Sequence, residues 1–582
     1  MALNVPVAMA MSMLVAITVT PWMSYHLLRG LHGRAEAHAR EGPGLFASGY
    51  RRVVGLFLDR RWARWALLGA ILVGLALTGW IALSGAVPLK MLPYDNKSEL
   101  QLVIDMPEGS TLEATDAAVA RFERYLATVP EVRDYEAYIG TGSPIDFNGL
   151  VRRYALRTGS HLADVRVNLV GKERRAQQSH EIGLRLRRDL EAIAREAGAR
   201  LKIVEAPPGP PVLATLVAEV HGSPAASYGD LVAAAREVER RLAEEEGVVD
   251  TDVMADEAHE RLDYQLDKEK AALHGVDTVD VTRTLALALR GNAVATVHEP
   301  DERQPLPLVL RLAREERSGA EELGRLAVKG SAGALVPLAE IGRFDRRVDD
   351  LPIYHKDLDR TVFVVGEIAG RAPAEVVLGM QRDLAADPPG KGVTVDWSGE
   401  GEWKITVDVF RDLGLAFAGA LVAIYVLLVV ETRSLFMPLL VMVAIPLGAI
   451  GVFPGFWLLN ALGGESVGGF GNPVWFTATG MIGMIALAGI VIRNAIILID
   501  FVRRGLAAGL PLREAILESG IQRFRPILLT AATAMLGAWP ITLDPIFSGL
   551  AWSLIFGILA STAFTLVVVP VAYYAVTRRA VP

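Results

Sequence analysis

The stretch AGIVIRNAIILIDF, residues 488–501, decides the fold. Its run of Ile, Val, Leu and Ala is that of a membrane-spanning helix, yet Arg493 and Asn494 stand in the middle and Asp500 near one end. A charge at the centre of such a helix costs about 2.5–3.5 kcal/mol on insertion scales, so a charge kept there needs a use. Arg493 precedes the cytoplasmic cluster that starts at Arg503 by about 15 Å at the helical rise of 1.5 Å per residue, too deep for comfortable snorkelling. A guanidinium holds its proton, so Arg493 suits a fixed counter-charge rather than a proton carrier.

Working outward, seven stretches are long and apolar enough to cross a bilayer: 5–28, 65–87, 407–430, 435–461, 475–501, 526–548 and 550–577. The first lacks the basic start and small-residue cleavage site of a signal peptide and reads as a retained helix. Arginines crowd Arg29 to Arg64, Arg433, Arg503 to Arg525 and Arg578, while the loops 462–474 and 544–549 hold no Lys or Arg. By the positive-inside rule the C-terminus is then cytoplasmic, and both the N-terminus and the long stretch 88–406 lie on the far side.

Composition agrees with this division. The 582 residues carry 21% charged side chains and a net charge of -7, yet mean hydropathy is +0.32, so apolar blocks and a polar region are segregated. The charge gives no reason to expect nucleic acid as a partner. The absence of cysteine removes disulfides, thiolate metal sites and cysteine nucleophiles. No phosphate-cradling loop, metal-ligand cluster or catalytic nucleophile stands out, so neither a cofactor nor enzyme chemistry is expected.

The stretch 88–406 repeats strand, amphipathic helix and strand four times, starting at ELQLVID (Glu99), ADVRVNL (Ala163), LVAEVHG (Leu216) and VFVVGEI (Val362). Such units pair into split βαβ, ferredoxin-like sandwiches. The first two copies form one subdomain, EAPPGPPVL (205–213) is a stiff linker, and the last two form a second subdomain interrupted by a small lobe. The fold class is therefore α+β: a transmembrane helical bundle with split βαβ subdomains and an insertion. The domains are a helix at 1–30, a cytoplasmic linker at 31–64, a helix at 65–87, subdomains at 88–206 and at 207–256 with 361–403, the insertion at 257–360, and a five-helix bundle at 404–578.

This order of parts, with MLPYDNKSELQLVIDMPEGSTLEAT, GIVIRNAIILIDF and RFRPILLTAATAMLGAWP at the matching places, resembles the C-terminal half of a resistance-nodulation-division (RND) efflux pump of the acriflavin-resistance-like type. The resemblance covers essentially the whole chain. It implies a proton antiporter in a bacterial inner membrane, periplasmic porter subdomains and a docking insertion. It also implies a homotrimer, a periplasmic adaptor protein and an outer-membrane channel. The first helix then corresponds to the family's sixth. The family's adjacent aspartate pair on its fourth helix is not found in any apolar segment; Asp349 and Asp350 fall in the insertion. The chain is accordingly expected to be a split-gene subunit, a truncated product or a fragment, working with an N-terminal half that carries the pair.

The resemblance assigns Arg493 as the cation facing that pair, Asn494 as its hydrogen-bonding neighbour, and Arg523 and Thr530 to the proton path, with Asp500 as an acid near the cytoplasmic exit. Structural alternatives stand beside these: Arg493 and Asn494 as ties to lipid or other helices, Arg523 as a membrane anchor, Thr530 bonded to its own helix. Pro526 reads as a helix start. In YIGTGSPIDFNGLVRRYALR, Gly140, Phe147, Asn148 and Gly149 mark a flexible loop that the resemblance places on the substrate path, a plain surface loop being the alternative. The four methionines beyond the second helix, Met91, Met106, Met254 and Met380, are widely spaced, with Met106 read as a core residue. The expected substrates are therefore amphipathic organic molecules, drawn from the membrane lipid or its outer side, with soft-metal export or an inactive scaffold as alternatives.

Overall fold

The computed structural model describes residues 4–29, 45–348, 351–464 and 466–578; residues 31–44 of the expected linker and the Asp349–Asp350 pair lie outside them. The chain divides into two compact units: Met1–Tyr94 with Ile405–Glu465 and Asn472–Pro582, and Asp95–Lys404 with Ser466–Gly471.

The chain starts with helices α1 (Asn4–Leu28), α2 (Leu45–Asp59) and α3 (Arg61–Leu83). It continues as β1 (Glu99–Asp105), α4 (Leu112–Leu126), β2 (Val132–Thr141), the short α5 (Phe147–Val151), β3 (Thr158–Leu169), α6 (Ser179–Ala197) and β4 (Arg200–Val204). All three strand pairings are antiparallel, in the order β2-β3-β1-β4. The period-2 pattern of β1 sends Leu100, Leu102 and Ile104 to one face, where they meet Phe122 of α4 and Leu186 and Leu190 of α6. Thr111 caps α4 by accepting from the Ala114 N–H, and Gln178 with Glu181 forms a capping box on α6.

The next elements repeat that scheme: β5 (Leu216–Gly222), α7 (Tyr228–Glu244), β6 (Val248–Met254), then after an insertion β7 (Asp359–Ile368), α8 (Pro373–Ala386) and β8 (Val393–Asp396). Here β5 lies between β7 and β8, and β6 pairs with the other edge of β7. The order β6-β7-β5-β8 is thus the first sheet's order over again. Its core joins Leu216, Ala218 and Val220 to Leu231 and Val238 of α7 and Val376 and Met380 of α8. The insertion has its own small core around Val281, Val336, Leu338 and Ile341, closed by pairing of Glu260–Leu266 with Gly342–Val348.

The remaining helices are α9 (Glu402–Thr432), α10 (Ala444–Gly463, after a short turn of helix at Met437–Met442), α11 (Ala478–Ala507), α12 (Leu512–Ala538) and α13 (Ser548–Thr577). Seven helical spans among the described residues are long and apolar enough to cross a membrane. The core of this unit lies between α10, α11, α12 and α13, with Phe456, Val491, Ala495, Leu498, Ile527 and Ile558 buried. By contrast, the described side chains of α1 are exposed throughout.

Three local expectations change. Part of the stretch read as linker is helical: Tyr50, Val54 and Leu58 recur every four residues and are buried, and the next helix starts at Arg61 rather than at residue 65. Pro526 lies inside α12 and not at its start, because the polar segment before it is amphipathic and buries Ala515, Ile516 and Ser519. The 140s segment is not one flexible loop. Gly140 belongs to β2, at an irregularity in the pairing where φ is +79°, a value glycine adopts freely. Residues from Phe147 form α5, capped by Asp146, which accepts from the Gly149 N–H at 2.5 Å.

Candidate functional site

Helix α11 begins at Thr477, whose hydroxyl caps the Gly480 N–H, and runs 30 residues. Its buried face holds Leu487, Val491, Asn494, Ala495, Leu498 and Val502, a spacing that turns Asn494 toward the neighbouring helices. Arg493, one residue earlier, is rotated by about 100° and is exposed. Among the described residues no carboxylate pairs with it. Asp500 forms an ion pair with Arg504 at 2.6 Å, one turn further along α11. The guanidinium carbon of Arg523, on α12, lies over the Phe501 ring, 3.6 Å from its centroid, and the Arg523 Nε is buried without a hydrogen-bond partner. The Thr530 hydroxyl donates to the Ile527 carbonyl of its own helix at 2.9 Å. The five expected relay residues therefore do not form one cluster: Arg493 faces outward, Asn494 inward, Asp500 and Thr530 have local partners, and Arg523 joins α12 to α11.

A second concentration of chemistry is a cleft of about 580 Å³ between the two sheet layers. Its walls are cross-linked by charge. Arg152, just after α5, reaches Glu367 of β7 at 2.5 Å, and Glu367 also accepts from the Thr215 hydroxyl. Burial alone would disfavour the Arg152 charge, but the Glu367 carboxylate outweighs it and raises the guanidinium's pKa. Lys202 of β4 bonds Asp252 of β6, and Arg200 reaches Asp252 at 3.1 Å and Glu257 at 2.7 Å. Asp250, in the left-handed region at φ +54°, receives the Arg187 guanidinium and the Ile203 N–H. That carboxylate ties α6 and β4 of the first layer to β6 of the second, which offsets the unusual backbone of a non-glycine residue. Arg157 pairs with Asp105 and, at 3.1 Å, with Asp164.

None of the expected substrate-path residues lines this cleft. Phe147 is 67% exposed, Gly149 is buried, and the side-chain oxygen of Asn148 is buried without a partner. The lining instead begins just after α5, at Arg152, Arg153 and Tyr154, and Arg153 lies 5.7 Å over the Phe363 ring. Met106 and Met254 also line it, so Met106 is a half-buried cleft residue and not the core residue expected. The sequence carried a usable signal. RLKIV (200–204) and DTD (250–252) place like charges two residues apart, hence on one face of a strand, basic on one and acidic on the other.

The fold defines a polytopic membrane protein that carries two repeated sheet-and-helix layers. Residues 1–577 match the AcrB/AcrD/AcrF family, and the chain belongs to that family of RND efflux permeases. The swarming motility protein SwrC of Bacillus subtilis is 24% identical over 98% of this chain and 51% of its own length. The multidrug resistance protein MdtC of Serratia proteamaculans is 25% identical over 98% of this chain and 53% of its own. A crystal structure of a heavy metal efflux pump shares the fold, with a TM-score of 0.72 at 21% identity over 91% of this chain and 52% of that one. The chain spans about half the length of the curated relatives it matches.

Proposed function

We propose that this chain supplies the porter layers and half of the helical bundle of a proton-driven exporter of amphipathic organic compounds in a bacterial inner membrane. In this reading 88–403 is periplasmic and its strand order supports two ferredoxin-like porter subdomains with a docking insertion. Arg493 is the fixed cation of the relay, with Asn494 holding the helix beside it. Arg523, Thr530 and Asp500 line the way to the cytoplasm, and Gly140, Phe147, Asn148 and Gly149 belong to a substrate-contacting segment that precedes the cleft residues Arg152, Arg153 and Tyr154 in the chain. Acidic residues from protein outside these 582 residues would face Arg493. The pump would assemble as a homotrimer with a periplasmic adaptor and an outer-membrane channel.

The observation that carries the proposal is the outward-facing, mid-helix Arg493 without an acid among the described residues. A guanidinium cannot rest in lipid at that depth without a large cost, so its face of α11 calls for an acidic protein surface. The exposure of α1 supports the same conclusion. Co-expression with a candidate N-terminal half and a dye-efflux assay tests it. Efflux should be lost in Arg493→Ala and largely kept in Arg493→Lys; equal efflux in wild type and Arg493→Ala would remove the relay role. Met106 and Met254 on one cleft favour soft-metal cargo as a second reading, since thioethers suit Cu(I) or Ag(I). Growth protection against silver but not dyes would select it.

A further inference from the structure

The start of α3 and the end of α13 bring together arginines that have no acid among the described residues. Arg64 lies over the Tyr574 ring, 5.5 Å from its centroid, at the last turn of α13, and Arg578 follows one turn later with its N–H on the Tyr574 carbonyl. Arg61 stands three residues before Arg64, on the preceding turn of α3. The nearby carboxylates are engaged elsewhere: Asp59 takes two bonds from Arg513, and Glu514 and Glu518 pair with Arg51. Among the described residues, Arg60, Arg61, Arg64 and Arg578 therefore lack a carboxylate partner. The Nη1 of Arg64 is buried and makes no hydrogen bond.

The surroundings are those of a membrane interface. Above Arg64, α3 packs on α10 and α13 through Ile71, Leu447 and Val568, closing a seam whose lower end is the Arg64–Tyr574 contact. On the outer face of α3, Trp65, Leu68 and Leu72 recur at three- and four-residue spacing and are exposed. The first turn of α3 adds the positive end of a long helix that no side chain caps.

We infer that Arg61, Arg64 and Arg578 form a binding site for the phosphate of an anionic glycerophospholipid, with one acyl chain lying along Trp65, Leu68 and Leu72. Guanidinium groups match phosphate oxygens in geometry and charge, and the apolar stripe starts where the headgroup would end. A phosphate beside them relieves the mutual repulsion of the arginines. A purely positional role for these arginines would attract any anionic surface weakly and would not single out Arg64.

The test uses the full chain purified in detergent, with phosphatidylglycerol, phosphatidylcholine and inorganic phosphate added separately, read by native mass spectrometry and thermal unfolding. Phosphatidylglycerol should bind and raise the melting temperature, phosphatidylcholine should do so far less, and inorganic phosphate alone should not. Arg64→Gln should weaken phosphatidylglycerol binding about fivefold, the loss of about 1 kcal/mol for one interfacial cation. Arg578→Gln, at a helix end where packing is not at stake, should act in the same direction, and Arg51→Gln should not. Equal binding of the two lipids, unchanged binding in both Arg64→Gln and Arg578→Gln, or a response to inorganic phosphate equal to that of the lipid would each overturn the assignment.

Discussion

At the level of single residues, the same side chain type takes different roles according to what surrounds it. Arg152 and Arg187 are buried against carboxylates, Arg523 rests on an aromatic ring, and Arg493 faces out of its bundle. A sequence displays the arginine but not the carboxylate that long-range pairing delivers, which is why Arg493 stood out and Arg152 did not. His161, on the cleft wall, offers a measurable case. Burial, with Arg157 and His259 adding to it, holds the imidazole below its ordinary pKa. The unfolded chain then takes up the proton first as pH falls, so the stability His161 contributes is present above its unfolded value near 6.5 and is lost as pH falls toward the folded one. Urea unfolding of the full chain between pH 7.5 and pH 5.5, at about 0.5-unit intervals across that window, should show a smaller loss of stability in His161→Gln than in wild type. Parallel curves for the two proteins would contradict the shift.

At the level of elements, local periodicity was a good guide wherever the core was built from one helix or strand face. Leu100, Leu102 and Ile104 announced β1, and the apolar run of α3 announced itself by length. It was a poorer guide where a short amphipathic helix docks on a larger body. The stretch SGYRRVVGLF carries its buried residues every four positions, but the arginines between them made it read as a linker. Packing settled the matter: the Tyr50 hydroxyl donates to the Leu566 carbonyl at 2.9 Å, and its ring fills the space that the missing side chain of Gly520 leaves on α12. A methyl group at position 520 would overlap that ring. Gly520→Ala should therefore cost about 1–3 kcal/mol through overpacking and detach α2. Gly537→Ala, on the same helix with open space around it, should be neutral or slightly stabilising. Thermal unfolding together with tryptic cleavage near Arg51 and Arg52 separates the two variants, and an intact, undisturbed Gly520→Ala protein would show that Tyr50 is not the anchor.

At the level of the whole chain, the repeat of one strand order in two layers explains why so much of the soluble architecture could be read in advance, since each copy restates the same alternation. The cleft between the layers could not be read in that way. It depends on which strand edges meet, and the bonds that cross it come from β4, β6 and β7, elements far apart in sequence. These bonds, together with the covalent linker 205–213, hold the first layer to the second. If the pair Lys202–Asp252 carries part of that attachment, Asp252→Lys should loosen the layers by placing like charges together beside Arg200. Adding Lys202→Asp should recover a good part of the loss, with a coupling energy of about 1–3 kcal/mol between the two sites. Limited proteolysis at the half-buried linker 205–213 reads the effect, because looser layers expose it further: the single variant should be cut faster than wild type, and the double variant at an intermediate rate. Additive effects of the two substitutions would mean that the pair contributes nothing across the cleft, leaving Arg187–Asp250, Arg152–Glu367 and Arg200–Glu257 as the contacts that keep it closed.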